Sequence, residues 1–145
     1  MDNLKIKLTG KNERRKKWTF VFLFVLLVIL DLVPKHFAEG VFRNYDFAFS
    51  LRVNSALMFV LYFLGIGYIF WQMLKTWNLQ SIKKTFPWFL LLTGAVLNVG
   101  ERIILGYVRD WIYVQNGIFN LADAYIILGV IGSILISNKK MLNKN

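Results

Sequence analysis

The sequence predicts an all-α integral membrane protein with four transmembrane helices, both termini in the cytoplasm, and a small extracytoplasmic β element between helices 1 and 2. Three observations predict it. The 145 residues are 57% hydrophobic and 17% aromatic, too apolar for a soluble domain of this size. The apolar residues gather in four runs near the ~20 residues a helix needs to cross a ~30 Å hydrocarbon core. The Lys and Arg residues lie mostly outside those runs and are concentrated on one side of them.

The whole chain, 1–145, reads as one membrane domain, beginning with a basic cytoplasmic segment over 1–17. Helix 1 is expected over about 18–33, Trp18 to Val33, interrupted by Asp31 and stopped by Pro34. A cleaved signal peptide is the rival reading of that run, but Val33, Pro34, Lys35, His36 and Phe37 offer no small-residue cleavage site, so the helix is expected to be retained. Helix 2, over about 56–74, carries no charge. Helix 3 is expected over about 85–108, broken by Glu101 and Arg102, and helix 4 over about 118–137, broken by Asp123.

Orientation follows from the basic residues. Lys5, Lys7, Lys11, Arg14, Arg15, Lys16 and Lys17 precede helix 1, Lys75, Lys83 and Lys84 separate helices 2 and 3, and Lys139, Lys140 and Lys144 follow helix 4. These segments face the cytoplasm. On the other side Lys35, Arg43, Arg52 and Arg109 are balanced by Asp31, Glu39, Asp46 and Asp110. The net charge of +10 is then a topology signal lying against anionic lipid headgroups, and no nucleic-acid partner is implied. With no Cys and one His, disulfides, a thiolate nucleophile and a Cys- or His-based metal cluster are excluded, and no cofactor is expected.

The outer segments carry strand signals. Tyr45, Phe47, Phe49, Leu51 and Val53 alternate with polar or small residues, which is the period of a strand with one apolar face. Between helices 3 and 4, Asn116-Gly117 flanked by Ile112, Val114 and Ile118 predicts a small hairpin. His36 reads as an interfacial residue, while Gly129 and Ser133, and also Gly65 and Gly67, read as positions of close helix packing.

An ionisable group at the bilayer centre costs about 2.5–3.5 kcal/mol on insertion scales, so Asp31, Glu101, Arg102, Asp110 and Asp123 each need a reason. All five fall at the outer end of their helices. Asn98 lies three residues before Glu101 and four before Arg102, on roughly one face. If helix 3 continued, Asp110 would stand about 80° from Arg102; Gly106 either admits a neighbour or ends the helix. On helix 4, Asn120 and Asp123 share a side.

For Glu101 and Asp31 the simplest account is structural, with Arg102 neutralising them while the asparagines bond across helices. Asp110 and Asp123 stand at the rim without a dedicated cation, since Arg109 is expected to point elsewhere. Two carboxyl groups brought together share a proton, so that one acts as base on a water while the other polarises a carbonyl, which is aspartic-peptidase chemistry.

Four stretches also resemble the lipoprotein signal peptidases, or signal peptidase II. Asp31 to Lys35 is similar to D-x-x-x-K, with Leu32 and Pro34 in place of the usual Gln and hydroxyl residue. Asn44 to Ser50 resembles N-x-G-A-A-F-S, with Asp46 for the Gly and Phe47 for the first Ala. Gly94, Ala95, Asn98, Glu101 and Arg102 resemble G-A-x-G-N-x-x-D-R, with Leu97 for the Gly and Glu101 for the Asp; Gly106, Val108, Asp110 and Trp111 resemble G-x-V-x-D-F, with Trp for Phe. Phe119 to Asp123 reproduces F-N-x-A-D, after a connection from Asp110 shorter than usual.

The resemblance implies a multi-pass, monomeric aspartic endopeptidase of the bacterial cytoplasmic membrane with its site at the extracytoplasmic face. It removes signal peptides from diacylglyceryl-modified prolipoproteins, with that substrate and membrane lipids as its partners. Asp110 and Asp123 would be the catalytic pair; Asn44, Asn98, Arg102 and Asn120 would line the site; Asp31, Lys35 and Glu101 would be structural. Two alternatives stay open at this point: a small proton-coupled four-helix transporter, and an inactive relative that binds lipid or lipoprotein.

Overall fold

A computed structural model describes residues 2–45, 54–78, 81–115 and 117–142. The chain is mostly helical, with α1 (Asp2–Phe37), α2 (Ser55–Asn78), α3 (Ile82–Leu105) and α4 (Leu121–Leu142), and short strands β1 (Phe42–Asn44), β2 (Val108–Asp110), β3 (Ile112–Val114) and β4 (Gly117–Phe119). Three stretches are long and apolar enough to cross a membrane: Asn12–Phe37, Ser55–Trp77 and Ile82–Leu105. The apolar part of α4, Leu121–Ser137, is shorter. The burial is inside out for a soluble protein. Asp31, Thr85, Asp110 and Asn120 are at most 1% exposed, while Phe22, Leu64 and Ile104 are 67%, 67% and 81% exposed, as expected where lipid is the solvent of the outer surface.

α1 begins at Asp2 and includes the basic segment, whose Lys, Arg and Glu residues are good helix formers. Pro34 does not stop it. Proline removes one donor, but here it lies in the last turn, and the helix runs on to Phe37 with Ala38 N donating to Pro34 O at 2.8 Å. That extra turn puts Lys35 one turn beyond Asp31 on the same face. Near the other end, Lys16 donates to Trp77 O at 2.9 Å and covers the Trp77 ring, while Phe20 packs on Trp77 and Phe89, fastening α1 to the end of α2 and the start of α3.

Asn54 starts α2 by accepting the Ala56 N–H at 2.9 Å. α3 ends at Leu105, three residues before its expected end, because Gly106 adopts φ 82° and returns its N–H to Arg102 O. The chain is then free to leave as β2, which pairs antiparallel with β1, Phe42 opposite Asp110 and Asn44 opposite Val108. β1 lies just before the strand expected between the first two helices, whose alternating residues 46–53 lie outside the described residues. β3 and β4 form the expected hairpin, with Ile112 opposite Phe119 and Val114 opposite Gly117. Gly117 is therefore already in a strand, and α4 starts at Leu121 where helix 4 was expected from about 118. Tyr113 Oη donates to Gly40 O, tying the hairpin to the turn after α1.

α3 and α4 make the closest helix contact. A Cβ at Gly94 would strike Ala122 O and come 2.8 Å from Ile126 Cγ1, and one at Gly129 would come 2.7 Å from Leu91 Cβ and from Pro87 O. Gly129 thus packs closely as expected. Ser133 instead bonds its own helix at Val130 O, and a Cβ at Gly65 or Gly67 would meet nothing within 4 Å. Gly94 and Gly132, whose Cβ would come 2.9 Å from Pro87 Cγ, are packing glycines that helical spacing did not single out.

Candidate active site

Two polar clusters stand where the sheets meet the helix ends. The first is ionic. Lys35 Nζ lies 2.7 Å from Asp31 Oδ2 and 3.1 Å from Glu101 Oε2. Glu101 Oε1 accepts from Arg109 Nε at 2.9 Å and Nη2 at 2.7 Å, and its Oε2 accepts the Arg109 backbone N–H at 2.9 Å. Asp31 Oδ1 accepts the Ala122 N–H at 3.0 Å. Arg102 was expected to neutralise Glu101 and Asp31, and Arg109 to point away; the structure corrects both. The left-handed turn at Gly106 folds Arg109 back onto Glu101, whereas Arg102 lies over the Tyr62 ring, 5.5 Å from its centroid, with Nη1 3.5 Å from Asn98 O.

The second cluster is a chain of carboxylates and amides. Asp110 Oδ2 accepts from Asn44 Nδ2 at 2.9 Å, a contact that the β1–β2 pairing makes possible. Asp110 Oδ1 accepts from Asn120 Nδ2 at 2.6 Å; that same amide reaches Asn98 Oδ1 at 3.1 Å, and Asn98 Nδ2 donates to Asp123 Oδ1 at 2.8 Å. Asn120 also caps α4: its Oδ1 accepts the Asp123 N–H at 3.0 Å, and Asp123 Oδ2 accepts the Asn120 N–H at 3.2 Å. This is a capping box with Asp as the carboxylate, so the start of α4 and the placement of Asp123 are one structure.

Burial above all pushes the Asp110 carboxyl above the ordinary carboxylate range; bonds from Asn44 and Asn120 oppose that, the charge of Asp123 adds to it, and Lys35 draws it back. Asp110, Asp123, Asn44, Asn98, Arg102 and Asn120 all line one cavity of about 570 Å³, which continues between apolar walls including Leu61, Ile66, Ile69, Leu91, Ile126 and Ile127. Asp31, Lys35 and Glu101 do not line it. Tyr62 and Gly65, also in its wall, were not foreseen, because α2 is apolar all round and offers no period to orient it.

A largely helical protein with an apolar outer surface and a cavity lined by both carboxyl and amide groups and apolar side chains has the build of a membrane protein. Its fold matches that of a bacterial membrane enzyme solved by the in meso method at 2.3 Å, with a TM-score of 0.72 over 88% of this chain and 92% of that one at 23% identity. The family model described as Signal peptidase (SPase) II matches residues 15–139, and the chain belongs to that family. It is therefore a protease. It is similar to the lipoprotein signal peptidase of Streptococcus thermophilus (strain CNRZ 1066), 30% identical over 135 residues covering 90% of this chain and 87% of the relative. It is also similar to that of Streptococcus pyogenes serotype M5 (strain Manfredo), 33% identical over 138 residues covering 80% and 90%.

Proposed function

We propose that Asp110 and Asp123 are the aspartic dyad with which this signal peptidase removes signal peptides from diacylglyceryl-modified lipoprotein precursors. The observation that carries the reading is the amide chain Asn44, Asp110, Asn120, Asn98, Asp123, which aims two carboxyl groups into one cavity. Asp110, the more buried of the two, holds the shared proton. Asp123 takes a proton from water as its oxygen adds to the scissile carbonyl, and Asp110 gives its proton to the carbonyl oxygen. Collapse of the tetrahedral intermediate returns a proton to Asp110 and releases the new amino terminus, protonated by Asp123. Asn44, Asn98 and Asn120 hold the carboxyl groups, and Arg102 offers a cation to the polar part of the substrate at the cavity wall. The apolar wall fits acyl chains or signal-peptide side chains.

The topology goes with this reading. α4 completes four crossings, its 17-residue apolar part Leu121–Ser137 lying at the short end of the ~17–25 residues of membrane spans. Both termini are cytoplasmic, the site lies at the extracytoplasmic face of the bacterial cytoplasmic membrane, and one chain among its lipids suffices.

Incubation of purified protein with a diacylated precursor tests it. Asp110→Asn and Asp123→Asn each lower turnover by at least ~10²-fold, the scale of a lost acid or base. Full processing by either variant overturns the dyad.

A further inference from the structure

The ionic cluster touches the backbone at two places, and both are next to the proposed dyad. Asp31 Oδ1 accepts the N–H of Ala122, the residue before Asp123. Glu101 Oε2 accepts the N–H of Arg109, the residue before Asp110. Lys35 joins the two acids at 2.7 and 3.1 Å. A continuous path of four bonds, from Ala122 through Asp31, Lys35 and Glu101 to Arg109, therefore joins the residues that precede the two aspartates, separately from the amide chain that joins their carboxyl groups.

The side chains of Lys35 and Asp31 are fully buried and that of Glu101 is 6% exposed. Buried ion clusters give little net stability over apolar packing of the same volume, so stability is a poor reason for this one. None of the three lines the cavity, so none touches substrate there. The cluster links α1, α3, β2 and the first turn of α4 at the backbone of the two residues that precede Asp110 and Asp123.

We infer that Asp31, Lys35 and Glu101 are positioning residues, a bracket that sets the separation of the Asp110 and Asp123 carboxyl groups. The inference rests on the dyad reading above. The bracket acts through backbone, so loosening it displaces the carboxyl groups without altering the wall that binds substrate.

The test uses Lys35→Met and the triple variant Asp31→Asn/Lys35→Met/Glu101→Gln. Lys35→Met alone leaves two buried acids with less compensation, and its protein yield falls. In the triple variant no acid is left uncompensated, and each new amide oxygen can still accept the backbone N–H of Ala122 or Arg109; the link through Lys35 is cut, and the partly exposed Arg109 guanidinium loses its ion pair with Glu101. The expected result is a folded triple variant whose kcat per folded molecule falls on the order of 10²-fold, the scale of a ~1 Å misplacement, with KM close to wild type. A purely structural cluster would lower the yield or melting temperature and leave kcat per folded molecule unchanged. Should the triple variant fail to insert, Glu101→Gln alone carries the same kcat and KM measurement. Asp110→Asn and Asp123→Asn run alongside. If both are inactive while the bracket variants keep wild-type kcat, the bracket is overturned and the dyad stands. If either aspartate variant turns over substrate normally, the dyad falls and the bracket with it.

Discussion

Asn120 Nδ2 lies 2.6 Å from Asp110 Oδ1, so the residue that caps the last helix also holds the carboxyl group of a strand ten residues earlier. The two duties are separable by substitution. Asn120→Ser keeps a side-chain oxygen for the cap but has no amide to reach Asp110, while Asn120→Ala loses both. The cap is worth about 0.5–2 kcal/mol, so Asn120→Ala melts lower and Asn120→Ser close to wild type. Both variants lose most of their turnover. Melting curves beside precursor-cleavage rates check this; an active Asn120→Ser would mean that Asp110 does not need its amide.

Asp110 also sets a pH dependence of stability. Its carboxyl is held above its ordinary value of 3.8, mainly by burial. Between that value and the raised one, the folded protein keeps a proton that the unfolded chain has released. Its contribution to stability is therefore complete below the window and is lost as pH rises through it. Asp110→Asn, which cannot ionise, removes this slope. Melting temperatures of wild type and variant, compared from acid to neutral pH, should converge or cross; parallel curves would contradict the raised value.

The same small substitution should have opposite signs at two glycines. Gly94→Ala drives a methyl into Ala122 O and Ile126, an overpacking that costs about 1–3 kcal/mol. Gly65→Ala meets no atom within 4 Å and gains helix propensity, so stability holds or rises by up to about 1 kcal/mol. Gly65 lines the cavity, and its new methyl instead raises KM for the lipidated precursor. Melting curves and steady-state kinetics on the two variants separate the effects; a destabilised Gly65→Ala would mean that α2 packs more tightly than this.

Much of this was legible in the sequence because the relevant signals are local. Apolar runs, the basic flanks and the Asn-x-x-Asp spacing at the start of α4 are each read within a few residues. What was not legible depends on distant pairing or on one dihedral angle. The union of β1 with β2 joins Phe42 to Asp110, and no local period announces it. The partner of Glu101 was misread because helix 3 was extended through Gly106. With that glycine left-handed, Arg109 returns to Glu101, while Arg102 lies over Tyr62 in the cavity wall. Pro34 misled in the opposite sense. It marked a stop where the helix in fact continues for the one turn that brings Lys35 over Asp31.

The capping box of α4 also bears on biogenesis. Asn120 and Asp123 take up their places only when α4 winds, and α4 follows every other described element in chain order. A chain in which α4 has not yet wound carries Asp110 and its Asn44 partner, but neither the Asn120 amide nor the second carboxyl group in place. On the dyad reading, proteolytic competence arrives only once α4 has wound, and copies that lack that turn carry no working blade.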